Sequence, residues 1–168
     1  MGFKKTSDTI AISFAVTETG PGVFTEDTIA LQLDVLNNEI FVVLAVDLDL
    51  SEPEAIAGVD TAVRSAVSST ALTAMGSLAN TNVIATGKEM IRALGFIDGG
   101  VGFTRNADST YNGDLDYIAL ISTNNFHCSI IGTGNTAAKA VQGRLWGYRA
   151  RADASTYAAL VQSEVLSA

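Results

Sequence analysis

Apolar and polar residues alternate with a period of two along much of the chain, which is the spacing of a β-strand with one buried face. A first run covers residues 10–16 and ends at the Gly-Pro-Gly break at 20–22. A second covers residues 29–35, and the last covers 139–151. These runs predict strands that each turn one face towards a core.

Two Asn-Asn pairs, at 37–38 and 124–125, each lie between apolar runs. Asn tolerates the positive φ of tight turns, so the sequence predicts a hairpin at each pair. The return strand of the first hairpin, residues 39–50, begins apolar on both faces, which predicts burial on both sides there. The second hairpin joins 115–123 to 126–131.

Helix signals are few. Residues 51–54 resemble a capping box, but Gly58 limits any helix there to a turn or two. Residues 82–94 are ambiguous, because their apolar spacing suits a short helix that Gly87 weakens. A C-terminal helix is predicted over 153–168, capped by Asp153 or Ser155.

The glycine-rich segment 95–113 is predicted to be a long loop, of the kind that often carries binding or assembly contacts. The whole pattern gives six to eight strands with one or two short helices. It predicts a mainly β fold, an antiparallel β-sandwich or single jelly roll, as one domain over residues 1–168. Residues 1–8 are expected to form a flexible N-terminal arm.

The composition indicates that few residues on the surface of the protein are charged. Of 168 residues, 48% are hydrophobic and only 17% are charged. Surfaces of monomeric proteins are richer in charge and expose few wide apolar patches. Either neighbouring copies cover part of the surface, which we favour, or the chain is a compact monomer rich in small residues.

Charge and cysteine content exclude several classes of function. A net charge of -8, with ten scattered Lys and Arg residues, opposes direct binding to nucleic acid. The most apolar run, residues 40–46, is too short to cross a bilayer, and the first residues lack the pattern of a classical signal peptide. A single cysteine, Cys128, excludes an intrachain disulfide.

The sharpest enzyme-like signal is Gly132–Ala137, which matches a dinucleotide-binding fingerprint after an apolar strand. That fingerprint requires a crossover helix before the next strand, yet the strand around Leu145 follows within ten residues. We therefore interpret the glycines as a turn between antiparallel strands, and a nucleotide-binding enzyme as the least favoured hypothesis.

Other candidates for chemistry are weaker. His127 and Cys128 are adjacent, so on a strand they point to opposite faces and cannot form a thiolate pair. Asp47 and Asp49 share one strand face and are weak candidates for a Ca²⁺ site, without EF-hand spacing. No catalytic residue, cofactor or firm metal site is predicted.

Two sets of side chains are candidates for contacts with a partner. Arg144, Trp146 and Tyr148 lie on one face of the last strand, and Arg and aromatic residues are enriched where proteins meet. The same residues could stack on a sugar. The helix stripe, containing Tyr157, Leu160 and Val161, suits packing on its own domain first and docking on a neighbour second.

In its short strands, long glycine-rich loop and richness in Ala, Gly, Ser and Thr, the chain resembles β-sandwich and jelly-roll coat proteins of viruses. The resemblance covers overall pattern, so no family residue is transferred. It implies a structural protein that assembles with copies of itself, and possible companion proteins, into a shell or filament in a virion or other extracellular assembly. The alternative is a carbohydrate- or ligand-binding sandwich module.

Overall fold

The structure, a computed structural model, describes residues 2–95, 97, 100–105 and 115–167. Within these ranges the chain forms ten strands and one α-helix. They are β1 (Phe3–Lys5), β2 (Ile10–Thr17), β3 (Thr25–Ala30), β4 (Glu39–Leu50), β5 (Thr61–Ser68), β6 (Val83–Arg92), β7 (Val101–Arg105), β8 (Ala119–Ile121), β9 (Asn125–Thr133), β10 (Ala140–Ala152) and α1 (Ala154–Ser167).

The strands form two antiparallel sheets. In sheet A, β1 and β2 both pair with one side of β10, and β4 and β8 follow on the other side. In sheet B the order is β3-β9-β5-β6-β7. Without β1 and β7, the sheet orders are 2-10-4-8 and 3-9-5-6, and successive strands mostly alternate between sheets. This is a jelly roll, so the predicted fold class is confirmed.

The main core lies between the sheets. Period-two alternation places Phe14, Leu48 and Leu145 of sheet A against Phe126 and Ile130 of sheet B. The rings of Phe14 and Phe126 meet edge to face with centroids 5.5 Å apart, a favourable geometry for aromatic pairs. The predicted inward faces of the first and last long strands are therefore correct.

A second apolar cluster covers part of the outer face of sheet A. Ile40 and Val42 are fully buried there, although the alternate residues Phe41 and Val43 point into the main core. Tyr157 and Leu160 of α1 pack on this cluster. The prediction that the first half of β4 is buried on both faces is confirmed, because the helix covers the second face.

Helix α1 follows β10 after a single residue, Asp153. The Asp153 side chain accepts a hydrogen bond from the Thr156 N–H at 2.7 Å, so it is the predicted N-cap. Glu164 is the buried residue of this helix, and its Oε1 accepts the Ser122 N–H at 3.0 Å. No helix in the described ranges is both long and apolar enough to cross a membrane.

The flexible arm predicted over residues 1–8 is wrong for residues 3–5. These form β1, which pairs with the end of β10, and Phe3 packs edge to face on Tyr117 with centroids 5.8 Å apart. The apolar Phe3 side chain gains burial in the second cluster, which explains why this segment is ordered on the sheet.

Neither Asn-Asn pair closes a hairpin. The strands before and after Asn38, β3 and β4, lie in different sheets, and so do β8 and β9 around 124–125. Asn38 does adopt positive φ (53°), but it ends a 3-10 turn over Val35–Asn37 that leads from one sheet to the other. The second apolar run, residues 29–35, was predicted to be a strand, but β3 ends at Ala30.

Three other local predictions are changed. Residues 51–54 form no helix, and the ambiguous segment 82–94 is largely the strand β6. The predicted loop 95–113 contains β7, while residues 96, 98, 99 and 106–114 lie outside the described residues. Pairing with β6 supplies the backbone hydrogen bonds that make β7 a strand.

Candidate functional site

The outer face of sheet A beyond the helix carries two of the predicted contact residues. Arg144 is exposed and Trp146 half-buried on β10. Arg144 stands opposite Asp47 on β4 and opposite Ser13 on β2, and its Nε donates to the Ser13 Oγ at 3.4 Å. Its guanidinium carbon lies 5.8 Å from the centroid of the Trp146 ring. We call this surface, comprising Asp47, Asp49, Gln142, Arg144 and Trp146, the outer-face patch.

The remaining predicted contact residues lie elsewhere. Tyr148 packs in the second apolar cluster, with the Lys5 ammonium 4.6 Å from its ring centroid. Tyr157 and Leu160 pack on the same cluster from the helix, and Val161 is half-buried. The structure thus separates the strand triplet, with Tyr148 under the helix and the other two residues facing outwards.

The weak Ca²⁺ candidates are not brought together with further ligands. Asp47 stands opposite Arg144, and Asp49 stands opposite Gln142. Within the part of the chain that the structure describes, no group of three or more His, Cys, Asp or Glu side chains could hold a metal ion. Opposite charge across the strands accounts for Asp47 without a cation.

The glycine motif 132–137 connects β9 in sheet B to β10 in sheet A, and no helix lies between these two strands. Gly134 has φ of 73°, and a Cβ there would lie 2.5 Å from the Asp60 carbonyl oxygen. The glycine is therefore required by the turn and by the close approach of Asp60. Gly134→Val would damage this turn for structural reasons alone.

Two carboxylates of the protein accept hydrogen bonds from the backbone N–H groups in and around this turn. Glu18 accepts the Gly132 N–H at 2.6 Å and the Lys139 N–H at 2.8 Å. Glu54 accepts the N–H groups of Thr136 at 2.8 Å and Ala137 at 2.9 Å. A dinucleotide phosphate would need N–H groups of this kind, so the turn is built around the protein's own anions.

A third carboxylate, Asp60, binds the next loop in the same way. It accepts the N–H groups of Ala93 at 2.8 Å and Leu94 at 2.9 Å, and it pairs with the Arg92 Nε at 3.1 Å. Glu18, Glu54 and Asp60 therefore tie together the connections β2–β3, β4–β5, β6–β7 and β9–β10. We call this end of the sandwich the loop end.

Large apolar side chains project from the loop end. The exposed fractions are 46% for Val23, 72% for Leu94 and 90% for Ile97. Charge-assisted hydrogen bonds from backbone N–H groups to the three carboxylates hold the hydrogen-bonded residues in place. At Leu94 the loop end thus presents an apolar side chain on backbone that Asp60 holds in place.

Acidification is expected to loosen the loop end. Hydrogen bonds from the Thr136 backbone and side chain hold the pKa of Glu54 below its usual value, and bonds from Leu94 and Ala93 lower the pKa of Asp60. Stability from a lowered carboxyl pKa is present above the unfolded-state pKa and is lost as pH falls through the folded-state pKa. Thermal unfolding of the wild type and Glu54→Gln, measured between neutral pH and about pH 3, checks this.

The melting temperature of the wild type should exceed that of Glu54→Gln at neutral pH. The two should converge as Glu54 is protonated. A difference that stays constant down to the lowest pH would contradict the assignment of Glu54 as an ionised cap.

His127 and Cys128 point to opposite faces of sheet B, as the strand geometry requires. The His127 Nδ1 lies 3.0 Å from the Thr28 Oγ1 and 3.6 Å from Glu26 Oε1. Cys128 lies in the main core, where burial raises the pKa of its thiol to about 12. A thiol with this pKa is protonated at neutral pH, and the protonated form is a poor nucleophile.

Comparison with known proteins found no matching family model and no matching curated protein. Among solved structures, a chain of Desmodium yellow mottle tymovirus is similar, with 17% sequence identity and a TM-score of 0.34. The match covers 88% of this chain and 91% of that chain. The assignment of a jelly roll rests on the strand order and register of the chain itself.

Proposed function

We propose that the chain is a structural subunit that assembles with copies of itself into a shell or filament, such as the coat of a virion. The observation that carries the proposal is the number of large apolar side chains left in water. Leu36 is 95% exposed, Ile97 90% and Leu166 78%, in a chain with only 17% charged residues. Contact with neighbouring copies would remove this apolar surface from water.

Two further features support assembly. Asp60 holds the backbone at Ala93 and Leu94, so a contact made by the exposed Leu94 side chain costs little backbone conformational entropy. The net charge of -8 favours protein partners, copies of the chain or other structural proteins of the assembly, over direct contact with a genome. The expected location is a virion or another extracellular assembly.

A second candidate function is a carbohydrate-binding module. The outer-face patch favours it, because the half-buried Trp146 lies beside the exposed Arg144 on the outer face of sheet A, where an indole could stack on a sugar ring. Binding to a sugar array that is lost in Trp146→Ala would support this function. The nucleotide hypothesis has no comparable support, since Glu18 and Glu54 fill the turn that a phosphate would use.

Light scattering after size-exclusion chromatography, followed by electron microscopy, tests assembly. Large symmetric oligomers or particles are expected, and a monomer over a broad range of concentration would contradict the proposal. Trp146→Ala should weaken association more than it lowers the melting temperature, because Trp146 faces outwards. Tyr148→Ala is the matched control on the same strand, and it should lower the melting temperature because Tyr148 packs under the helix.

A further inference from the structure

Strand β2 lies at an edge of sheet A. All eight residues from Ile10 to Thr17 are in the strand, and they pair with β10 on one side. No other strand among the described residues pairs with the second side of β2. An edge of this length presents a row of backbone donors and acceptors to its surroundings.

The register identifies which backbone groups face the free side. The Glu18 N–H donates to the Lys139 carbonyl, just beyond the paired segment. Because backbone direction alternates along a strand, Val16 and Phe14 bond β10 in the same way. The N–H and C=O groups of Ala11, Ser13, Ala15 and Thr17 therefore point away from the sheet. Their natural complement is another extended strand.

Strand β2 also lacks the features that prevent an edge strand from pairing with another chain. The other edge strands carry charge or are short: β1 has Lys4 and Lys5, β3 has Glu26 and Asp27, β7 has five residues and β8 has three. The β2 sequence IAISFAVT has no charge, no Pro and no Gly. In a chain with net charge -8, two copies of this strand meet without direct repulsion between their own side chains.

The side chains on β2 suit an antiparallel pair of identical strands. With Ser13 at the centre, Ala11 of one copy stands opposite Ala15 of the other. These small, exposed residues occupy the outer face and leave room for the second strand. On the inner side, Ile12 and Phe14 of the two copies become cross-strand neighbours, and Ile10, now 39% exposed, gains cover.

We propose that β2 pairs antiparallel with β2 of a second copy across a two-fold axis, so that the two copies of sheet A become one continuous sheet. This inference rests on the proposed function and names one of its contacts. The pair closes on itself, so a larger assembly uses further surfaces in addition.

A cysteine at the centre of the pair tests the geometry. Directly opposed residues in a hydrogen-bonded antiparallel pair have Cα atoms about 5.5 Å apart, within the range of a disulfide. Ser13→Cys should therefore form a disulfide-linked dimer under mild oxidation, and the native Cys128 is buried and does not compete. Gln142→Cys is the matched control, because Gln142 is exposed on the same face one strand further in. Its two copies would be about 19 Å apart, from three inter-strand spacings across the sheet and four residues along the strands, and should not cross-link.

Ala15→Pro tests the hydrogen bonds independently. Proline removes the outward N–H of residue 15 and places its ring against the incoming strand, while the neighbouring residues keep their bonds to β10. Introduced into the Ser13→Cys chain, it should lower the cross-linked fraction at least tenfold at equal concentration. Near-ultraviolet circular dichroism of Trp146 and the melting temperature report whether the fold is retained.

The outcomes separate this contact from assembly in general. Particles seen by light scattering without a Ser13→Cys disulfide would overturn the β2 contact and leave assembly standing. A monomer without any cross-link would overturn both. Cross-linking of Gln142→Cys as readily as Ser13→Cys, with Ala15→Pro lowering neither, would show that faces meet rather than edges, and it would also overturn the β2 contact.

Discussion

Gly147→Ala is expected to destabilise the fold by roughly 3 kcal/mol, the upper part of the range for overpacking a core. A Cβ at this position would overlap the Val42 carbonyl oxygen and the Phe41 ring. Both neighbours are fully buried, and one contact is with backbone, so neither side can move aside cheaply. Gly147 lies where the register between β10 and β4 shifts, which brings the two backbones together.

Thermal and urea unfolding measure the effect. For a chain of this size the expected fall in melting temperature is about 10 °C. Gly102→Ala is the matched control, because Gly102 also lies in a strand but nothing stands within 4 Å of a Cβ there. The control should change stability by less than about 0.5 kcal/mol. Equal melting temperatures for Gly147→Ala and the wild type would show that β4 and β10 can separate locally.

Period-two alternation predicted the long strands well because their burial is a local property of the sequence. Val141 and Leu145 point into the core and Arg144 points out, as their spacing requires. The same pattern showed that the start of β4 is buried on both faces. It could not show that α1 provides the second cover, since that contact joins residues far apart in the chain.

The predicted hairpins failed for a related reason. An Asn with positive φ reverses or redirects the chain, but the local sequence does not say whether the next strand joins the same sheet. In a jelly roll most connections cross between sheets, and Asn38 lies in one of these. Strand pairing here is decided by which faces complete the core, which is a property of the whole chain.

Glu54 shows why the hydrogen bonds of the loop end could not be predicted from the sequence. Its spacing from Ser51 suggested that it caps a local helix. In the structure it caps backbone N–H groups as expected of a carboxylate, but those of Thr136 and Ala137, more than 80 residues away. The chemistry was readable from the residue type, whereas the partner depends on the meeting of two loops at one end of the sandwich.

Strand β2 was predicted from the sequence, but its position at the edge of a sheet was not. The uncharged run at 10–16 was predicted as a strand from its alternation, yet nothing local marks it as an edge. Only the sheet order, with β10 in the middle and β2 outside it, exposes its free backbone. Because β2 is an edge strand, the absence of charge in IAISFAVT leaves its free side open to pairing with another strand, which composition alone could not show.

Glu18→Ala is expected to be the most damaging single change at the loop end. The Glu18 residue is only 4% exposed, and its two oxygens accept the Gly132 N–H at 2.6 Å and the Lys139 N–H at 2.8 Å. Each buried donor left without a partner costs about 1–3 kcal/mol, so the expected loss is about 2–6 kcal/mol. The turn between these residues also sets the start of β10, the strand that pairs with three others in sheet A.

Urea unfolding of Glu18→Ala, Glu18→Gln and Glu52→Ala resolves the cause of this loss. Glutamine keeps one acceptor oxygen but turns an amide N–H₂ towards the second donor, so an intermediate stability is expected. Glu52 is an exposed acid of the neighbouring connection, and its removal should change stability by less than about 0.5 kcal/mol. If Glu18→Ala were as stable as Glu52→Ala, water would have replaced the carboxylate at both N–H groups, and Glu18 would not hold the loop end together.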